Sequence, residues 1–171
     1  MLSETTKNAI LEMQKLYPHK RSALIPALHL AQEEAGYLPR DVQDEVAALF
    51  ELDPTEVYGV VTFYDMFFEA PVGKHLIHVC KNVPCMLRGA DNILNKVCQF
   101  LQVQPGEMSA DGEFTVIASE CLAACDRAPM MLVDEKVVGP VQEEQIAQLL
   151  AEAKQGPGHP TPVRELETEH A

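Results

Sequence analysis

Five cysteines are the residues in this chain whose type and spacing could do chemistry. Four residues separate Cys80 from Cys85, three separate Cys121 from Cys125, and 35 lie between the pairs. Four thiolates brought by two segments can hold one small metal centre. An iron–sulfur cluster takes such a set, and so does structural zinc; spacing alone leaves both open. A redox dithiol usually needs C-x-x-C, which is absent. Unligated core cysteines would have no reason to fall in two close pairs. Cys98 stands apart, on an apolar helical face with Ile93, Leu94, Val97 and Leu101, and reads as core packing.

The elements that must position these thiols follow from the local patterns. His75–Val79 reads as a strand ending at Cys80, and Phe114–Ala118 as a second leading into Cys121. Each pair is thus expected in a loop at a strand end, stiffened by Pro84 and Pro129. A helix should start after Gly89. Met130–Val133 and Lys136–Val138 should form a hairpin turning at Asp134-Glu135, and Ile146, Leu149, Leu150 and Ala153 mark a last helix. This order suggests a thioredoxin-like α/β layer.

Residues 1–70 read as four short helices. Ser22 is expected to cap the second and Gly36 to end it, and Asp53-Pro54-Thr55-Glu56 carries the start signal of the fourth. The fold class expected is α+β. A small helical bundle, mainly a docking module, occupies 1–70, a thioredoxin-like domain 71–154 and a flexible tail 155–171, where Pro157, Pro160 and Pro162 oppose regular structure.

The net charge of −13 argues against nucleic acid, whose phosphates call for Lys and Arg, and against an anionic membrane surface. There is no signal-like start and no run of about 20 apolar residues to span a bilayer, so a soluble cytosolic protein is expected, without direct membrane insertion. Neither G-x-G-x-x-G nor G-x-x-x-x-G-K-(S/T) occurs, and there is no nucleophile–base motif, so the chain is expected to have no nucleotide site and no catalytic residue of its own.

Asp111-Gly112-Glu113-Phe114-Thr115, five residues, then Cys121-Leu122-Ala123-Ala124-Cys125-Asp126-Arg127-Ala128-Pro129 resembles the pattern D-x-x-F-(S/T)-x5-C-(L/I)-G-x-C-x-x-(G/A)-P of the 24-kDa (E) subunit family of respiratory complex I, NADH:quinone oxidoreductase. The upstream C-x4-C pair with Gly89-Ala90, and Gly59-Val60-Val61-Thr62-Phe63-Tyr64, also match, and the resemblance runs from about residue 10 to 153. It implies one 2Fe-2S cluster held by Cys80, Cys85, Cys121 and Cys125. It implies that FMN and NADH bind a larger partner flavoprotein subunit, that other peripheral-arm subunits adjoin, and that the chain lies on the cytoplasmic side of the inner membrane through its complex. Equivalent subunits of NAD-linked hydrogenases or formate dehydrogenases are the alternative; a zinc-stabilised interaction module is the alternative from another class.

Two departures stand out. Asn82 occupies a position where Thr is frequent, and can still donate toward a sulfur. Ala123 replaces the usual Gly; the expectation is an unstrained loop, since Ala124 is small as well. His75 and His78 are assigned packing or surface roles, because four cysteines already complete the site. Phe63, Tyr64, Phe67 and Phe68 read first as helix packing, and second as a partner-docking patch.

Overall fold

The computed structural model describes residues 1–158; most of the proline-rich 155–171 stretch lies outside the described residues. The chain divides into two compact units, one of them Met1–Pro71 and the other starting at Val72.

The first unit holds four α-helices: α1 (Glu4–Gln14), α2 (Leu24–Ala35), α3 (Arg40–Phe50) and α4 (Pro54–Phe63). Their starts and stops are local. Asp53 accepts from the Thr55 N–H at 2.8 Å, and Pro54 sits in the first turn of α4. Gly36 closes α2 at φ 80°, a left-handed conformation that glycine adopts without strain. Ser22 does not cap α2: it lies in a 3₁₀ turn, Lys20–Ala23, that runs directly into the helix. The backbone turn occupies the orphan groups that a cap would serve. Ile10, Leu28, Val46, Phe50 and Val57 form a closed core. Buried Gln32 donates to the Met66 carbonyl at 2.9 Å and accepts from the Phe68 N–H at 2.8 Å, tying down the chain after α4.

The second unit is a four-stranded sheet in the order β2-β1-β3-β4, built from β1 (His75–Cys80), β2 (Phe114–Ser119), β3 (Met131–Val133) and β4 (Lys136–Val138). β1 and β2 are parallel, so their carboxyl ends share one edge, with Cys80 opposite Ser119. β3 runs antiparallel to both β1 and β4. The helices are α5 (Val83–Leu87), α6 (Ala90–Leu101) and α7 (Ile146–Lys154). Ile77, Val79, Val97, Val116, Met131 and Leu150 fill the core. This is the expected thioredoxin-like α+β architecture, with one element added. Cys85 sits on helix α5, and not in a plain loop. Asn82 caps α5 by accepting from the Val83 N–H at 3.0 Å, and Pro84 fixes its first turn. Five residues are too few for periodicity to announce a helix.

The D-x-x-F-T run has a structural role. The Asp111 carboxylate accepts from Ser109 Oγ at 2.6 Å, the Glu113 N–H at 3.2 Å and Lys154 Nζ at 2.9 Å. These partners hold its carboxyl well below the usual range. Phe114 is buried, and Thr115 Oγ1 accepts from the Gly73 N–H at 2.7 Å. The run fixes the entry into β2, and so the position of the second cysteine pair.

Candidate metal centre

The sheet brings both cysteine pairs to one end. Cys80 is the last residue of β1; its N–H donates to the Met130 carbonyl at 3.2 Å, while the next N–H, of Lys81, donates to the Ser119 carbonyl at 2.8 Å. The strand end is therefore held from both sides. Cys80 and Cys85 are buried, in a small apolar cluster with Ala90, Ala128 and Met130, against which Leu122 and Ala124 pack. Cys121 and Cys125 are exposed, in the segment that leaves β2 and turns through a short 3₁₀ helix, Cys125–Arg127.

Two of these thiols are held above their ordinary range. Burial pushes the Cys85 thiol up, and the nearby sulfurs of Cys80 and Cys125 add to the rise, while the Met130 N–H opposes it. Cys125 is raised by desolvation first, then by Cys121, with Cys80 and Asp126 adding to it. Neighbouring sulfurs thus add to the penalty on the thiolates of Cys85 and Cys125, a penalty that a bound cationic centre reverses. Among the described residues, no three His, Cys, Asp or Glu side chains converge as a ready metal-holding set. The donor chemistry fits an iron–sulfur core, since four soft sulfurs are at hand and two are already buried.

Ala123 corrects the unstrained expectation. It sits at φ 60°, in the left-handed region. Its side chain does not set this conformation; the path between the exposed Cys121 and the 3₁₀ turn does. That region costs an L-residue about 1–2 kcal/mol. Ala123→Gly is expected to stabilise the chain by about 1 kcal/mol, read as a higher denaturant midpoint at unchanged slope. An unchanged or lower midpoint would show that the loop carries no strain at this position.

The other singled-out residues have structural places. The buried His75 ring pairs through Nδ1 with Asp134 Oδ2 at 2.9 Å and lies against Phe114, with centroids 5.4 Å apart. His78 Nδ1 pairs with Ser119 Oγ at 2.9 Å. Cys98 is half-buried against the core, and burial raises its thiol. The aromatic group divides: Phe67 is in the core of the first unit, whereas Phe63 is 76% exposed and meets Tyr64 edge-on. The sequence reading missed the exposed apolar face of α5, formed by Val83, Met86 and Leu87.

A mixed sheet with helices around it, and two cysteine pairs at the carboxyl ends of its parallel strands, defines a thioredoxin-like domain with a sulfur-donor site. Residues 10–154 match the thioredoxin-like 2Fe-2S ferredoxin family, and the chain belongs to that family. It is 40% identical over 134 residues to the second E-type subunit of the NADH-quinone oxidoreductases of Rhizobium meliloti (strain 1021), covering 78% of this chain and 80% of that one. To the HndA subunit of the NADP-reducing hydrogenase of Solidesulfovibrio fructosivorans it is 36% identical, covering 89% of each. To the E-type subunit of the NADH-quinone oxidoreductase of Escherichia coli (strain K12) it is 33% identical, covering 90% and 92%. Among solved structures, the air-oxidised NAD+-reducing NiFe hydrogenase superposes with a TM-score of 0.65 at 26% identity. That match covers 77% of this chain and 22% of the hydrogenase chain, so this chain spans about a fifth of it. No helix among the described residues is long and apolar enough to cross a membrane.

Proposed function

We propose that this chain is an electron-transfer subunit of an NADH:quinone oxidoreductase, in which Cys80, Cys85, Cys121 and Cys125 hold one 2Fe-2S cluster. What supports this reading is two cysteine pairs carried to one edge of the sheet by the parallel strands β1 and β2, in a chain of this family. When bound, the cluster supplies one-electron redox chemistry. The chain's own residues supply the rest. Cys80 and Cys85 give a buried, preorganised half-site, and the Met130 N–H stabilises negative charge on Cys85. Cys121 and Cys125 give an exposed half-site through which the centre meets a partner.

NADH delivers a hydride, which carries two electrons, so a flavin must stand between it and a one-electron centre. The sequence carries no nucleotide-cradling motif, which supports assigning FMN and NADH to a larger flavoprotein subunit. In this reading the helical unit docks the chain to its complex, on the cytoplasmic side of the inner membrane. A second reading, the same role in a hydrogenase, is favoured by the likeness to the hydrogenase subunit and to the hydrogenase structure.

The purified chain, free of flavin, is expected to show no NADH oxidation, and addition of a flavoprotein subunit to restore electron flow from NADH into it. Tight NADH binding or turnover by the chain alone would contradict the assignment of both to a partner. The proteins that co-purify distinguish the oxidoreductase from the hydrogenase.

A further inference from the structure

Asp111-Gly112 is the one Asp-Gly step in the chain, and there is no Asn-Gly. Such a step is prone to isomerise, because glycine has no Cβ to shield the nitrogen that follows the carboxyl. The Gly112 nitrogen can attack Asp111 Cγ, forming an N–Cγ bond while the nitrogen's proton and a carboxyl oxygen leave as water. A second water then opens the five-membered imide. Opening of the new bond restores aspartate. Opening of the original peptide bond leaves isoaspartate, with the main chain routed through Cγ. No oxidant or cofactor enters either step.

Water reaches this step. The Asp111 side chain is 51% exposed, and a Cβ added at Gly112 would meet nothing within 4 Å. The local bonding nevertheless opposes the reaction at both atoms. The Gly112 N–H donates to the Ser109 carbonyl at 2.8 Å, so the nucleophile is engaged. Asp111 Oδ1 is tied back by Ser109 Oγ at 2.6 Å and the Glu113 N–H at 3.2 Å, and Oδ2 by Lys154 Nζ at 2.9 Å. A carboxyl oxygen leaves as water only from the protonated group. Ser109 first, then Lys154 and the Glu113 N–H, hold the carboxyl well below the usual range, so that form is scarce. The turn itself is pinned at both ends: the Ser109 N–H donates to the Phe114 carbonyl at 2.7 Å, and Ser109 Oγ accepts from the Phe114 N–H at 2.9 Å.

We propose that Asp111-Gly112 is a latent isomerisation site, kept in its ordinary linkage by the Ser109 hydroxyl with Lys154 in support, and that its isoaspartate form is a substrate for a carboxyl-methylating repair enzyme. The two partners do not weigh equally. Ser109 is buried, and its bond to the carboxylate is short and charge-assisted. The Lys154 pair is half-exposed on both sides, so solvent and salt weaken it. Lys154 is also the last residue of α7, where a helix frays first. Opening of the clasp therefore starts at Lys154, and Ser109 sets the remaining barrier. Conversion adds one main-chain carbon directly ahead of β2 and takes the carboxylate away from both partners. The damage falls on the entry to that strand.

The test incubates the full chain at neutral pH and body temperature, folded and, in parallel, unfolded in guanidinium chloride. Isoaspartate is read by methyl transfer from S-adenosylmethionine with an isoaspartyl methyltransferase, and placed at residue 111 by peptide mapping. The unfolded chain is expected to accumulate it at 111 about tenfold or more faster than the folded chain. Ser109→Ala keeps the backbone bond from Gly112 and removes the hydroxyl; among folded variants it is expected to isomerise about tenfold faster than the parent. Lys154→Gln should do so only a few-fold faster, and Lys154→Arg at the parent rate. Circular dichroism checks that each variant is folded. Equal rates in the folded and unfolded parent would overturn the proposal without recourse to any variant. Folded Ser109→Ala and Lys154→Gln that both keep the parent rate would overturn it as well, by showing that the turn protects the step without the clasp. Methyl transfer that maps to other residues and not to 111 in the unfolded chain would show that the step is not a latent site.

Discussion

Replacing any one of Cys80, Cys85, Cys121 or Cys125 by serine is expected to lose most of the bound iron and sulfide, while Cys98→Ser keeps them. A serine oxygen is a poor substitute for a thiolate on a soft iron–sulfur core. The four positions should not behave alike. Cys80 and Cys85 are buried, so serine there also leaves a polar hydroxyl in an apolar cluster, at a cost of about 1–3 kcal/mol if unpaired. Cys121 and Cys125 are exposed, so their variants should fold nearly as well as the parent and fail only in holding iron. Cys98 is half-buried on α6 and packs against the second unit's core, so its serine variant should lose a little stability and no iron. Iron and sulfide assays beside denaturation curves read the two effects separately. Loss of iron in Cys98→Ser with retention in Cys121→Ser would refute the ligand assignment.

Gly139→Ala is expected to be a damaging single-methyl change in the second unit, and one that falls on the site. A Cβ at Gly139 would collide with the Arg127 carbonyl oxygen, and would meet the Cβ atoms of Arg127 and Met130 at 3.0 Å each. A carbonyl oxygen is backbone and cannot rotate away, so the segment must shift at an overpacking cost of about 1–3 kcal/mol. The shift falls on the site. Arg127 ends the 3₁₀ turn begun by Cys125, and the Met130 carbonyl holds the Cys80 N–H. The variant should therefore melt lower and hold less iron. Gly59→Ala is the matched control. Gly59 lies inside α4 with nothing within 4 Å of an added Cβ, so alanine should raise stability by about 0.5–1 kcal/mol. Equal melting temperatures for Gly139→Ala and the parent would show that the segment yields to the added methyl.

What the sequence disclosed follows from how local each cause is. Asp53 with Pro54, and Gly36 at the end of α2, act within one turn, and the structure places them as read. The hairpin turning at Asp134 was legible for the same reason. Helix α5 was hidden because five residues carry no period, although Asn82 and Pro84 hold its start signals. The left-handed Ala123 was hidden because its φ is imposed by the path between two distant anchors, β2 and the packed Ala128–Met130 segment. The split of the cysteines into a buried and an exposed pair depends on the parallel register of β1 on β2, which no local pattern encodes. Phe63 and Phe67 looked alike in sequence, and only packing separates them. The choice between oxidoreductase and hydrogenase leaves no mark on the fold, since relatives of both kinds share it.

The central claim is tested most directly by the metal, sulfide and spin content of the full chain purified without oxygen. The expected result is two irons and two acid-labile sulfides per chain, a reddish-brown colour, and one unpaired spin per chain after one-electron reduction. Stoichiometric zinc with negligible iron, in colourless protein that gives no spin on reduction, would contradict it.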